Sequence, residues 1–369
     1  MKKLDTALRK RQGQYTINSS QNEELSIGLD DFIKEKDDLL EAIETDKDNK
    51  GLFTVKTANK WIECAKNRPI PQMLFSEFWF ESELCIMFAD TNLGKSILAV
   101  QIGNSISKGV PISCFKLESQ SQSVLYFDFE LSDKQFENRY SSYFKEHYIF
   151  NDNFIRIEIN PDANIPEKEP FEVYLNNSLE QAIAETGAKI LIIDNLTYLK
   201  NETEKAKNAL PLMKHLKALK NKYALSILVL AHTPKRDLSK PITRNDLAGS
   251  KMLINFCDSV FTIGESTNDK CIRYFKQIKA RNTEIIYDAD NVIVCQIEKP
   301  HNFLKFDFIE FSTEREHLKQ FTENDREQRI SEALELKKQG FSNVEIARKF
   351  CVSEGAVRKW IKKDNENKK

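Results

Sequence analysis

Residues 88–97 read FADTNLGKSI, and their spacing from Ala89 is A-x-x-x-x-G-K-S, a phosphate-binding loop with Ala in the first glycine's place. Lys95 offers a point charge to the outer phosphates of a nucleotide, and the Ser96 hydroxyl can ligand Mg²⁺. Gly94 keeps the backbone open where phosphate would approach. The candidate nucleotide-binding positions are Ala89, Asp90, Thr91, Asn92, Leu93, Gly94, Lys95, Ser96 and Ile97. The apolar run Leu84 to Phe88 ahead of the loop reads as a buried strand. Ile97 to Ile102 behind it has apolar residues at helical spacing. Strand, turn and helix are what such a loop needs, since the amide groups and positive end of the helix then point at the anion.

Further chemistry sits where other apolar runs end. Lys189-Ile190-Leu191-Ile192-Ile193-Asp194 delivers a carboxylate to the C-terminal edge of a strand, where ligands bind in open α/β sheets and where an Asp can hold Mg²⁺. Ser226 to Ala231 reads as another such strand, ending in the polar residue His232. Phe127-Asp128-Phe129-Glu130 offers two carboxylates for activating water, and strand alternation puts both on one face.

The stretch Phe127 to Arg139 reads F-x-x-E-L-S-x-x-Q-x-x-x-R and resembles a segment of DnaB-type helicases, with Leu131 where that family has Met. The resemblance implies a RecA-like core over roughly residues 60–300, with ATP and Mg²⁺ as cofactors. It makes Glu130 the general base, with Asp128 the competing carboxylate. His232-Thr233 is similar to a His-His-Thr segment of plasmid RepA-type hexameric helicases, with Ala231 in place of the first histidine. That implies a γ-phosphate sensor at His232. Lys279 and Arg281 match a K-x-R pair that in hexameric DnaB-like motors reaches the neighbouring subunit's nucleotide, which implies a homo-oligomer such as a hexameric ring. Lys235, Arg236, Lys240 and Arg244 lie in the loop after His232. There they would contact the phosphates of single-stranded DNA without reading bases.

The C-terminal residues have their own pattern. Arg329 to Gln339 reads as a helix stopped by Gly340, Ser342 to Glu345 as a capping box opening a second helix, and Glu354 to Lys363 as a third. The segment resembles resolvase-like helix-turn-helix modules, with Cys351 where Gly is usual in the turn. By that resemblance Arg358, Lys359, Lys362 and Lys363 would meet the phosphates of duplex DNA.

These residues need a parallel α/β sheet to hold them. Strands are expected at 84–88, 123–129, 154–159, 189–193, 226–231 and 259–264. Shorter runs at 272–278, 285–287, 292–297 and 303–311 suggest an antiparallel extension. The expected organisation is a polar N-terminal segment over residues 1–53, a RecA-like α/β ATPase domain over 54–312, a linker over 313–325 and a helix-turn-helix module over 326–369. The net charge of −1 gives no global case for nucleic acid, so any such case is local. No long uncharged apolar run predicts a membrane span, and MKKLDTALRKRQGQ lacks the apolar stretch of a secretion signal. Seven scattered cysteines without a C-x-x-C pair predict reduced, mostly buried thiols, and with them a cytoplasmic location. The expectation is a Mg²⁺-dependent ATPase of the DnaB/RepA-like branch coupled to DNA, such as a replication helicase of a plasmid or mobile element. Two alternatives stay open: a DNA-binding regulator switched by ATP, and a recombination or mobilisation accessory protein that does not unwind DNA.

Overall fold

The computed structural model describes residues 53–164, 171–195, 209–234, 236–247, 251–320, 323–350 and 352–367. The expected N-terminal segment therefore lies outside the described residues apart from Phe53. The chain divides between Ile70 and Pro71. Ahead of that division, helix α1 (Ala58–Lys66) is capped by Thr57, whose hydroxyl accepts the Lys60 N–H at 3.2 Å, and none of its residues is buried.

Past the division a short antiparallel hairpin, β1 (Met73–Phe75) and β2 (Trp79–Phe80), leads into β3 (Leu84–Ala89). There follow α2 (Lys95–Lys108), β4 (Val124–Asp128), α3 (Asp133–Arg139) and the two-residue strands β5 (Ser141–Ser142) and β6 (Glu146–His147). Next come β7 (Phe154–Ile157), α4 (Phe171–Thr186), β8 (Ile190–Asp194), α5 (Ala209–Tyr223) and β9 (Ser226–His232). After a 3₁₀ turn at Arg244–Asp246, the chain forms α6 (Lys251–Phe256), β10 (Ser259–Glu265), β11 (Ile272–Lys279), β12 (Val292–Glu298) and β13 (Lys305–Ser312). Four helices close it: α7 (Glu314–His317), α8 (Glu323–Lys338), α9 (Asn343–Lys349) and α10 (Glu354–Asn367).

One nine-stranded sheet organises this unit, in the order β13-β12-β11-β10-β3-β9-β8-β4-β7. The strands from β10 to β7 are parallel and β11, β12 and β13 add on antiparallel. The parallel strands carry unbroken apolar runs because both faces are covered. Alternation sends Leu84, Ile86 and Phe88 into a cluster with Leu179, Leu216 and Leu219 from α4 and α5. It sends Cys85 and Met87 into a second cluster with Leu98 and Ile102 of α2. The fold is α/β and RecA-like, a mostly parallel sheet between helices. Helix α2 is itself roofed: the Gln101 amide donates to Phe306 O at 2.9 Å and accepts the Phe306 N–H at 2.8 Å, so β13 curls back over it.

The expected strands form within a residue or two of their reading, with one exception: residues 285–287 form no strand. Instead, the Ile286 and Tyr287 N–H groups bond the Gln277 side-chain oxygen, each at 2.8 Å, and the Gln277 N–H bonds Tyr287 O at 2.7 Å, so one residue of β11 ties the segment down. The thiols also differ from expectation. Cys85, Cys257 and Cys295 are buried, Cys64 is half-buried, and Cys114 and Cys271 are exposed because both stand in loops. Helix α8 begins at Glu323, six residues before its expected start, and α10 runs past Lys363. The terminal helices hold a separate apolar cluster of Ala333, Leu336, Ile346, Ala347, Phe350 and Val357, and the Ser342–Glu345 capping box forms as read.

Candidate functional site

The phosphate-binding pattern folds as a turn between β3 and α2. Gly94 caps the helix at φ 92°, a left-handed conformation that a side chain resists, and an added Cβ would lie 2.8 Å from the Phe306 ring. Its glycine is thus required twice, by backbone and by neighbour. Ala89 is different: it is the last residue of β3, fully buried, and is not among the described residues with positive φ. An alanine there carries no strain. The Leu98 N–H bonds back to Gly94 O at 3.0 Å as the helix begins, leaving the amide groups of its first turn directed out of the helix end.

Around this loop the sheet order assembles the rest. β3 lies beside β9, which pairs Ala89 with His232, and β8 lies between β9 and β4, which pairs Asp128 with Asp194. Lys95, Glu130, Asp194 and His232 consequently meet at one edge. Lys95 Nζ donates to Ala89 O at 3.0 Å and Asp90 O at 2.9 Å, and stands 3.2 Å from His232 Nδ1. Burial lowers the pKa of its ammonium, while Asp194, Glu130 and Asp90 oppose the shift.

Asp194 is the deepest of the four. Burial pushes its carboxyl up to about 6, against hydrogen bonds from Ser96 and Tyr126 and with Glu130 and Asp128 adding to the rise. The Tyr126 hydroxyl, on β4, donates to Asp194 Oδ2 at 2.8 Å. Asp194 Oδ1 is buried and lacks a well-formed hydrogen bond of its own. A buried carboxylate with an unmatched oxygen beside a serine hydroxyl suits a hard cation. Ser96 and Asp194 therefore fit Mg²⁺, whose remaining ligands would be phosphate oxygens and water. No group of three or more His, Cys, Asp or Glu side chains able to hold a metal occurs among the described residues.

The two competing carboxylates separate clearly. Asp128 ends β4 with its Oδ1 accepting the Glu130 and Leu131 N–H groups at 3.2 and 3.0 Å and its Oδ2 bonded to Arg156 Nε at 2.9 Å. It is committed to shaping the turn. Glu130 lies just beyond the strand and keeps an exposed flank; a hydrogen bond from His232 holds its carboxyl below the usual range against the effect of burial.

Lys279 and Arg281 are not brought to this site. β11 runs antiparallel to β10, so it ends at the opposite edge of the sheet, where Lys279 pairs in register with Val260. Lys279 Nζ donates to Ile254 O and Cys257 O, both at 2.7 Å, and Arg281 bonds Asp258 Oδ1 at 3.0 Å. Within one chain both are helix-end and ion-pair residues; the role expected of them is toward a neighbouring subunit's nucleotide, not their own chain's.

The expected DNA contacts are dispersed. Lys235 lies outside the described residues, as does the side chain of Lys363. Arg236 Nη1 donates to Lys240 O at 2.9 Å, Lys240 pairs with Asp237 at 3.4 Å, and Arg244 is exposed on the 3₁₀ turn. This loop is pinned rather than loose: Ile242 is buried, its N–H bonds Glu314 Oε1 at 2.7 Å, and its carbonyl accepts from Lys276 Nζ at 2.9 Å. Arg358, Lys359 and Lys362 are exposed on α10, with Arg358 held by Glu354 at 2.7 Å.

Sequence reading missed Tyr126, Arg156 and Phe306. A phenol inside a buried strand and an arginine inside an apolar one each demand a polar partner, which was the available signal. Phe306 carried none, being one more apolar residue of an apolar run. A cleft of about 320 Å³ along the far half of α2, lined by Asn104, Lys108, Tyr148 and Phe303, includes none of the loop residues.

Residues 54–237 match the family model of the AAA domain. Among solved structures the chain is similar to a KaiC-like protein of the hyperthermophilic archaeon Pyrococcus horikoshii. Identity is 14%, the alignment covers 62% of this chain and 91% of that one, and the TM-score is 0.42. No curated protein matches the chain. The family match spans the loop, Glu130, Asp194 and His232, and with the RecA-like fold it defines a P-loop ATPase domain. No helix among the described residues is long and apolar enough to cross a membrane.

Proposed function

We propose that the protein hydrolyses ATP with Mg²⁺ and couples the hydrolysis to DNA, as a helicase-like or translocating motor working as a homo-oligomer. The observation that carries the catalytic part is the meeting of Lys95, Asp194, Glu130 and His232 on one sheet edge around an anion-binding helix end. Mg²⁺ held through Ser96 and Asp194 would neutralise charge on the outer phosphates. Glu130 takes a proton from water as the water oxygen bonds the γ-phosphorus, and the bond from that phosphorus to the bridging oxygen breaks to leave ADP. Lys95 steadies the charge on the departing side.

DNA coupling is supported by placement. The segment carrying Arg236, Lys240 and Arg244 directly follows His232, and the buried Ile242–Glu314–Lys276 contacts anchor it to the sheet, which sets exposed cations next in the chain after the phosphate site. The terminal helices, read as a helix-turn-helix module, present Arg358, Lys359 and Lys362 to a duplex.

The test is ATP turnover by the full chain with Mg²⁺ or EDTA, with and without single-stranded DNA, followed by strand displacement. Turnover by Lys95→Ala close to wild type removes the ATPase reading. Turnover indifferent to DNA turns the proposal towards an ATP-switched DNA-binding regulator, and stimulation without displacement towards an accessory protein that does not unwind.

A further inference from the structure

Asn195 follows Asp194 at the end of β8, is 2% exposed, and belongs to none of the motifs that mark the phosphate site. Its position is fixed by the backbone, since the Phe129 N–H bonds Asp194 O at 2.8 Å where β4 and β8 end together. That places the Asn195 side chain between two others. Its amide nitrogen donates to Glu130 Oε1 and lies 3.1 Å from His232 Nε2, which itself stands 3.5 Å from the same Glu130 oxygen.

The protons can be assigned from this network. Lys95 Nζ lies 3.2 Å from His232 Nδ1, and an ammonium only donates, so Nδ1 is the bare nitrogen and Nε2 carries the hydrogen. The Nε2–H and the Asn195 amide N–H therefore converge on one carboxylate oxygen. The short Nε2 to amide distance is that of two donors sharing an acceptor. Turning the Asn195 amide over would set its carbonyl oxygen against Glu130 Oε1 with no proton between them, so the nitrogen faces the carboxylate.

Resting on the reading of Glu130 as the base, we infer that Asn195 is a positioning residue. It clamps Glu130 through Oε1 and leaves Oε2 as the oxygen that receives the proton of water. Glu130 needs such a clamp because it stands beyond the end of β4 with its side chain 39% exposed, and a glutamate there has several free rotors. An unclamped carboxylate samples geometries that do not reach the water, which costs rate rather than nucleotide affinity.

The experiment measures kcat, KM for ATP and fluorescent-nucleotide affinity in the full chain for wild type, Asn195→Ala, Glu130→Gln and the double variant. Asn195→Ala should lower kcat by about 10–100-fold, the loss usual for a residue that orients a functional group, with KM and affinity within about twofold of wild type. Added to Glu130→Gln, it should change the remaining turnover by less than about twofold, because the group it positions is already gone. An equal loss in both backgrounds, or a loss expressed in KM, overturns the inference. Should Asn195→Ala fail to fold, Asn195→Asp decides: it keeps the shape and replaces the donor by a second carboxylate, so wild-type turnover in that variant also overturns it. Wild-type turnover by Glu130→Gln instead removes the base assignment, and the inference with it.

Discussion

Asp258, Lys220, Lys279 and Arg281 gather where β3 and β10 begin, and Lys95, Glu130, Asp194 and His232 gather where β3, β4, β8 and β9 end. Both edges of the sheet are charged, yet they dispose of charge differently. At the first edge Asp258 accepts the Leu84 N–H at 3.0 Å, Lys220 at 2.8 Å and Arg281 at 3.0 Å, while Lys279 caps carbonyls at the C-terminal end of α6. Each of these groups meets an opposite charge or a helix end. At the second edge a buried carboxylate retains an unmatched oxygen, and an ammonium is desolvated among backbone carbonyls and an imidazole. Among the eight residues named, what separates the candidate active group from the structural one is incomplete pairing, not the amount of charge, although Glu83 Oε1 at the first edge is also buried without a partner.

The comparison is broken most sharply at Glu130. Glu130→Gln should retain nucleotide and lower turnover by about 10²–10⁴-fold. Asp128→Asn should act on stability instead, because Asp128 holds two N–H groups and Arg156. Loss of turnover in Asp128→Asn with an unchanged melting temperature would move the base to Asp128.

A second, smaller effect concerns Tyr126. Tyr126→Phe removes the hydroxyl that fixes Asp194 Oδ2 and leaves the packing in place. The Mg²⁺ concentration needed for half-maximal turnover should rise by about 10-fold or more, with turnover recovered at high Mg²⁺. An unchanged Mg²⁺ titration would argue against Asp194 as a ligand.

These expectations also mark where the sequence was legible. The phosphate loop could be read because its chemistry needs neighbouring residues, and Asp194 and His232 because an apolar run ending in a polar residue announces the edge of a sheet. Between Asp128 and Glu130 the residues alone offered no choice, only the helicase-like segment did; the structural contrast, Arg156 bonding Asp128, comes from another strand. Gly94 was legible as a glycine, but the Phe306 ring behind it comes from more than two hundred positions along the chain. For Lys279 and Arg281, a cation at a strand end looks the same whether it faces a ligand or a helix carbonyl; strand direction sets both at the opposite edge from their own chain's phosphate loop, so the role expected of them concerns a neighbour's loop.

At the structural edge the effect falls on stability. Burial raises the Asp258 carboxyl, but the Leu84 N–H, Lys220 and Arg281 together hold it below its ordinary value. A carboxyl depressed in the folded state adds stability that is present above its unfolded pKa, about 3.9, and is lost as pH falls through the folded value. Asp258→Asn should thus cost about 1–3 kcal/mol near neutral pH, and the gap to wild type should close below about pH 4. Melting curves from pH 3 to 7 test this, and a gap independent of pH would mean that the charge is not what Asp258 contributes.

The smallest expected effect is the one that bears most directly on the cross-subunit role. Arg281 is half-exposed and pairs with Asp258 at 3.0 Å, so its loss should lower the melting temperature only slightly. If it serves only this edge, Arg281→Ala should turn over ATP within about twofold of wild type, since no side chain of the phosphate site touches it. A finger that completes a neighbour's site would instead cost about 10³-fold or more. Mixing separates that outcome from damage to the fold. Arg281→Ala supplies an intact phosphate loop and Lys95→Ala an intact arginine, so sites formed between the two would regain turnover if the arginine acts across an interface. Neither variant recovers on mixing if Arg281 belongs only to its own chain. Recovery, together with an unchanged melting temperature for Arg281→Ala, would make the structural edge part of a shared active site and would require Asp258 to release its partner when subunits assemble.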